Sequence, residues 1–387
     1  VDEFKGKWAK FALNERFGLE LDEELAKETI NSINDLETQN EEDKKEKKFT
    51  PIQVTKKSQT YKLEADERFK ELYKFIKSEF DSGKSMFEIL EKVKENFTVL
   101  DNIEISIETN PKTFDEKKLE YYKSAEINRV SIGVQSFNDV ILKELGRNHN
   151  FKEAFDSIEL VKKFDFDINL DLIFGYQSQI IEDVLYDFEM VKNINPEHIS
   201  YYALIIEEKT KFKALQNAGK LDFLDEETER KMYHLIVEKL EEMGMNQYEV
   251  SNFAKVGKES VHNKKYWNCK EYLGLGISAH SCLNDERFSN TVNLSKYIKE
   301  LHNGNIPVDF REKLDMPTKK FEYIIMNMRL KEGFLISDYN RLFESDFLEE
   351  NKKAVKIGLE NNVVEIKDDR IYFTKRRRNF RRKINRI

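Results

Sequence analysis

From residue 103 onward the chain alternates strands and helices, and this rhythm constrains the fold more than any other feature. Residues 103–107 (IEISI), 129–134 (RVSIGV), 168–174 (INLDLIF) and 198–206 (HISYYALII) read as strands rich in β-branched and aromatic residues. Residues 113–125, 151–164, 181–193 and 226–243 show the three- and four-residue apolar spacing of helices. Another strand opens at residues 247–250. Hairpins cannot accommodate a helix between every pair of strands, so the strands must run parallel. Four or five such units predict an α/β fold, a partial (β/α) barrel.

The flanks read differently. Residues 1–100 are expected to form a divergent, helical, charge-rich region. Phe4, Trp8, Phe11 and Leu13 recur at helical spacing, as do Phe69, Leu72, Phe75, Ile76 and Phe80, and a second helix is expected over 86–97. Between them, residues 39–48 (QNEEDKKEKK) carry no apolar side chain and read as a solvated linker. The barrel portion is expected over residues 101–310, ending with a helix over 294–303. Over 315–387 the pattern gives helices at 321–330, 337–343 and 348–361. A β-ribbon at 363–366 and 370–373 follows, a small winged-helix-like module with a basic tail. No internal repeat is evident.

Composition narrows the function class. Charged residues make up 36% of the 387, and the net charge is −8. An acidic chain is a poor coat for nucleic acid. Residues 375–387 are the exception, with eight Lys or Arg, and read either as an electrostatic contact to nucleic acid or an anionic membrane surface or as a disordered or frame-shifted tail. No apolar run is long enough to span a membrane, and residues 1–10 lack the apolar core of a secretory signal. Cys269 and Cys282 are the only two cysteines. That count excludes a disulfide scaffold and any site needing three thiolates from this chain, and suits a cytoplasmic protein with free thiols.

In parallel α/β folds the working residues stand at the C-terminal ends of strands. Here those ends carry Glu108, Gln135 and Asp171, with Arg147 on a nearby loop. Polar groups in apolar strands need partners. Either each satisfies a neighbouring loop or Arg147, or together they bind a ligand bearing hydroxyls and an amino-acid head group. Downstream lie QYEVSNFA (247–254), HNKKYW (262–267) and EYLGLGISAHS (271–281), dense in polar and aromatic groups. The Gly-x-Gly at 274–276 is too short to be a phosphate-binding fingerprint.

The run IETNPKTFDEKKL, NRVSIGVQSFNDVILKELGRNHN, INLDLIFGYQSQ, HISYYAL, QYEVSNFA, HNKKYW and YLGLGISAHS resembles the HemW branch of the radical S-adenosylmethionine (SAM) proteins, over about residues 103–373. HemW proteins are heme chaperones related to oxygen-independent coproporphyrinogen III oxidase. The resemblance implies a radical-SAM-type barrel and a role in porphyrin and heme metabolism. By resemblance, Glu108, Gln135, Arg147 and Asp171 hold SAM, Ala203 and the backbone up to His280 line its adenine side, and His262 is a heme ligand. It also implies heme-accepting apoproteins as partners and a [4Fe–4S] cluster. The cluster motif C-x-x-x-C-x-x-C is absent, as is the family's Gly-Gly-Gly-Thr-Pro stretch. Two further readings therefore stand beside the chaperone: a cluster-free relative binding heme or a nucleotide without radical chemistry, and a truncated or rearranged product.

Overall fold

A computed structural model describes residues 86–207, 210–222 and 224–374. The helices expected near the N-terminus before residue 86, the linker at 39–48 and the basic tail lie outside these residues.

Helix α1 (Met86–Asn96) leads into strand β1 (Ser106–Thr109). The alternation then runs α2 (Glu116–Ser124), β2 (Arg129–Gln135), α3 (Asp139–Glu144), α4 (Phe151–Lys162), β3 (Asp167–Phe174), α5 (Ile181–Ile194) and β4 (His198–Ala203). Two more helices, α6 (Lys211–Asn217) and α7 (Glu226–Glu242), precede β5 (Asn246–Gln247) and β6 (Asn252–Ala254). These six strands form one sheet in the order β1-β2-β3-β4-β6-β5. β1 to β4 are parallel, whereas β6 runs antiparallel to both β4 and β5. The result is the expected α/β partial barrel. Among the described residues the sheet does not close.

Alternation within the strands explains how the sheet is covered. In β2 and β3, Val130, Ile132, Val134, Ile168, Leu170 and Leu172 take one face and are buried against helices. Leu119, Ala154, Ile158, Val161, Val184, Val191, Ile236 and Leu240 supply the helical side of that core. Each of these Val, Leu and Ile side chains contributes about 1.5–3 kcal/mol through burial. Helix starts are set by side-chain caps. Asn150 and Glu153 close a capping box on α4, and Asp115, Asn138 and Asp225 cap α2, α3 and α7.

Helix α8 (Val261–Trp267) follows the sheet. Then β7 (His280–Leu283), β8 (Glu286–Asn290), α9 (Leu294–His302) and β9 (Val308–Lys313) build a separate antiparallel sheet, β7-β8-β9. The sequence reading has neither α8 nor this sheet. Helix α10 (Met316–Asn327) opens the last segment. It continues with β10 (Phe334–Leu335), α11 (Ile336–Phe343), α12 (Phe347–Glu350), α13 (Lys352–Glu360), β11 (Val364–Lys367) and β12 (Arg370–Phe373). The expected helix over 348–361 is broken at Asn351, and the ribbon gains a third strand. An aromatic cluster of Tyr323, Phe334, Tyr339, Phe343 and Phe347 packs the core of this segment.

Candidate functional site

The opposite face of the main sheet is polar, and strand register says why. Glu108 pairs with Ser131, Ser131 with Asn169, and Asp171 with Ser200, so these side chains stand on one face. Asp171 accepts hydrogen bonds from Ser131 Oγ and from Asn169 Nδ2, each at 2.8 Å. Burial nevertheless raises the Asp171 pKa, with the nearby Glu108 charge adding to it and the hydrogen bonds opposing it.

Gln135 ends β2 in a left-handed conformation (φ 71°), just past an irregularity in the β2–β3 pairing. A Cβ on Gly133 would sit 2.8 Å from Asn110 Oδ1 and 3.0 Å from Gln135 Nε2. Two amide side chains therefore converge over the glycine, and a larger residue there would have to push them aside. Arg147 follows α3 and is half-buried. Burial lowers its pKa, and the Asp171 charge opposes that effect. Its guanidinium makes no hydrogen bond or ion pair with the protein among the described residues, and neither does the Glu108 carboxylate. A half-buried guanidinium near Asp171, an unpaired Glu108 carboxylate on the face that carries Asp171, and the two amides over Gly133 suit a zwitterionic amino-acid head group joined to a ribose. The donor set present thus fits SAM.

Two expected residues do not join this cluster through their side chains. Ala203 is buried in the core with Phe174 and Tyr201, so only its backbone can reach the site. His280 begins β7 in the second sheet, and no side-chain hydrogen bond ties it to the polar face.

His262 lies elsewhere again. It is exposed on α8, with its ring edge-on to Tyr266 at 4.8 Å, and Tyr266 in turn meets Tyr272. Glu104 fixes the start of this helix by accepting from Ser260 Oγ and from the N–H groups of Val261 and His262. Arg129 pairs with Glu104 at 3.1 Å and donates to Lys258 O. Trp267, at the other end of α8, lies under the Arg329 guanidinium. Arg329 also faces the buried Glu249. Because Glu104 and Arg129 stand at the N-terminal ends of their strands, α8 sits at the end opposite Gln135. Six residues of β2 separate these ends, about 20 Å at the usual rise.

Several functional candidates escape sequence reasoning. Asp187 on α5 has no exposed surface and accepts from Phe137 N–H, Ser136 Oγ and Tyr201 OH. Its signal was a lone carboxylate within the apolar stripe Val184, Phe188, Val191. His198, buried at the start of β4, bridges Asn169 and Tyr248. A histidine opening an otherwise apolar strand could have marked it.

A [4Fe–4S] cluster is a different matter. It needs three thiolates, and the chain has two cysteines. Among the described residues no three His, Cys, Asp or Glu are grouped to hold a metal ion. The residues of this chain do not fit the cluster.

Comparison with known proteins shows the family and the fold. Residues 41–191 match the radical SAM superfamily model, beginning inside the segment read as divergent. The heme chaperone HemW of Bacillus subtilis is 34% identical over 266 residues, covering 67% of this chain and 70% of the relative. That of Buchnera aphidicola from Schizaphis graminum is 32% identical over 295 residues, covering 73% and 75%. Among solved structures, the coproporphyrinogen III oxidase HemN of Escherichia coli, a radical SAM enzyme, superposes with a TM-score of 0.65. It is 19% identical, with 77% of this chain and 72% of that one covered, so the likeness concerns the fold. The chain belongs to the HemW family of the radical SAM superfamily.

Proposed function

We propose that this protein binds heme at the exposed face of α8, with His262 as iron ligand, and passes it to heme-accepting apoproteins. The observation that carries this reading is the HNKKYW helix itself. Its His is exposed, carries no hydrogen bond on its ring among the described residues, and stands against Tyr266, which in turn meets Tyr272, on a helix anchored at both ends. A neutral imidazole is an ordinary axial ligand for heme iron. Names borne by the relatives support the same reading.

SAM belongs to the polar face in this reading. Asp171 and Gln135 take the ribose hydroxyls, Arg147 the carboxylate and Glu108 the ammonium group. When cleaved reductively, SAM supplies a radical, but that step calls for a cluster this chain does not ligate. The protein therefore acts as a binding protein, in the cytoplasm, where two free cysteines stay reduced.

Hemin titration of the full chain tests the heme site. His262→Ala should weaken binding about tenfold or more, equal to 1.4 kcal/mol, and move the Soret band. His302→Ala, on α9, should change neither. An unchanged affinity and spectrum in His262→Ala would remove His262 as the ligand.

A further inference from the structure

Asn263 adjoins His262 in HNKKYW, yet takes no part in iron ligation. Its side chain and the backbone of Ser260 face the hydroxyl of Tyr248, from QYEVSNFA, and favour its charged form, while the Lys264 ammonium of the same helix lies 5.5 Å over the Tyr248 ring. Tyr248 is buried, and its O–H donates to His198 Nε2 at 2.8 Å. His198 is 1% exposed and donates from Nδ1 to Asn169 Oδ1 at 2.5 Å. Asn169 Nδ2 donates to Asp171 Oδ1 at 2.8 Å. Every donor in this line points the same way, from α8 toward the Asp171 carboxylate. Such a chain polarises and strengthens each of its members. Only one tautomer of His198 satisfies it, and burial keeps that ring neutral by lowering its pKa to about 3.

The line also accounts for an otherwise costly burial. Asn169, His198, Ser200 and Tyr248 would each be penalised inside the molecule without partners. Their partners join two motifs that are far apart in sequence, HNKKYW on α8 and the Asn169-Leu170-Asp171 stretch within β3.

We propose that Tyr248 and His198 are positioning residues that couple the two ligand sites, so that a ligand held by Asp171 changes the affinity of α8 for heme, and heme changes the affinity for that ligand equally. The inference rests on the assignment of SAM to Asp171 and of heme to His262. Reciprocity follows from linkage: one coupling factor governs both directions.

The test uses the full chain, with hemin and SAM as probes. Hemin affinity is measured with and without saturating SAM, and SAM affinity with and without hemin. In the natural protein the two ratios should agree and differ from one by about fivefold or more. Tyr248→Phe removes one hydroxyl from the middle of the line and should bring both ratios to one. Asn263→Ala breaks the line at its outer end, away from the buried core, and should do the same if Tyr248→Phe fails to fold. Tyr339→Phe removes a hydroxyl hydrogen bond to Glu350 in the last segment and should leave the ratios as they were. Ratios of one in the natural protein, with both ligands bound, would overturn the coupling alone. Ratios retained in Tyr248→Phe or in Asn263→Ala would also overturn it. Failure of the natural protein to bind one of the probes would remove the site assignment beneath it.

Discussion

Asp187 has no exposed surface, and all its hydrogen bonds go to the end of β2 and to Tyr201. Burial raises its pKa to about 7, against the three hydrogen bonds that favour the charged form. The sign follows from linkage. Because the folded value lies above the unfolded 3.8, the folded state keeps a proton that the unfolded state releases. The contribution is complete below about pH 4 and is lost as pH rises to about 7, by a few kcal/mol at about 1.4 kcal/mol per pH unit. Asp187→Asn cannot titrate, so its stability relative to the natural protein should improve from pH 4 to pH 7 in denaturant melts. A gap that stays constant with pH would show that Asp187 titrates normally. Asp187→Leu should follow the same pH trend but stay about 1–3 kcal/mol less stable than Asp187→Asn, because Phe137 N–H and the Tyr201 hydroxyl lose their acceptor. The same carboxylate pins the turn that holds Gln135 at φ 71°, so its loss should also loosen the polar face. The sequence exposed Gln135 through its place at a strand end. Asp187 was hidden because one charge in an amphipathic helix ordinarily reads as solvent-facing.

Among the elements, α8 was the hardest to read and the most informative. It has seven residues and ends in an aromatic pair, too short for apolar periodicity to register, so HNKKYW showed as a motif and not as a helix. What makes it a helix is tertiary: the Ser260 cap, the Glu104 carboxylate over its first N–H groups, and Arg329 over Trp267. Glu104 and Arg129 are both largely buried, and removing either leaves the other unpaired. Glu104→Ala should therefore destabilise the protein by about 3–5 kcal/mol, read as a lower denaturant midpoint. Glu104→Gln, which still accepts hydrogen bonds, should lose less. Equal losses would mean that the cap hydrogen bonds contribute nothing beyond the ion pair. The β7–β8 hairpin had a local signal that went unread. Asn284-Asp285 adopts positive φ at both positions, the conformation two-residue hairpin turns require. The sequence predicts strand over residues 198–206, yet β4 stops at Ala203, level with the end of its partner β3 at Phe174.

For the whole molecule, the parallel order of β1 to β4 was legible because helices and strands alternate in sequence. Closure of the barrel was not, because nothing local in a strand says whether its outer edge has a neighbour. Among the described residues no strand pairs with the outer edge of β1, and Ser106 and Glu108 are exposed there. The cysteine count was legible from the start, and its meaning came only with the family. The polar face retains groups suited to ribose and an amino-acid head group, while the thiolates that would make SAM reactive are lacking. Anaerobic reconstitution of the heme-free chain with iron and sulfide should leave both far below the four of each that a cluster holds. Incubation with SAM and dithionite should then give no cleavage to 5′-deoxyadenosine, while SAM binding by equilibrium dialysis persists and weakens in Arg147→Ala. Stoichiometric labile sulfide with a [4Fe–4S] electron paramagnetic resonance signal would mean that ligands other than three cysteines of this chain hold a cluster. Binding without cleavage would instead make the polar face a sensor of SAM, which is the role the line from Asp171 to α8 requires.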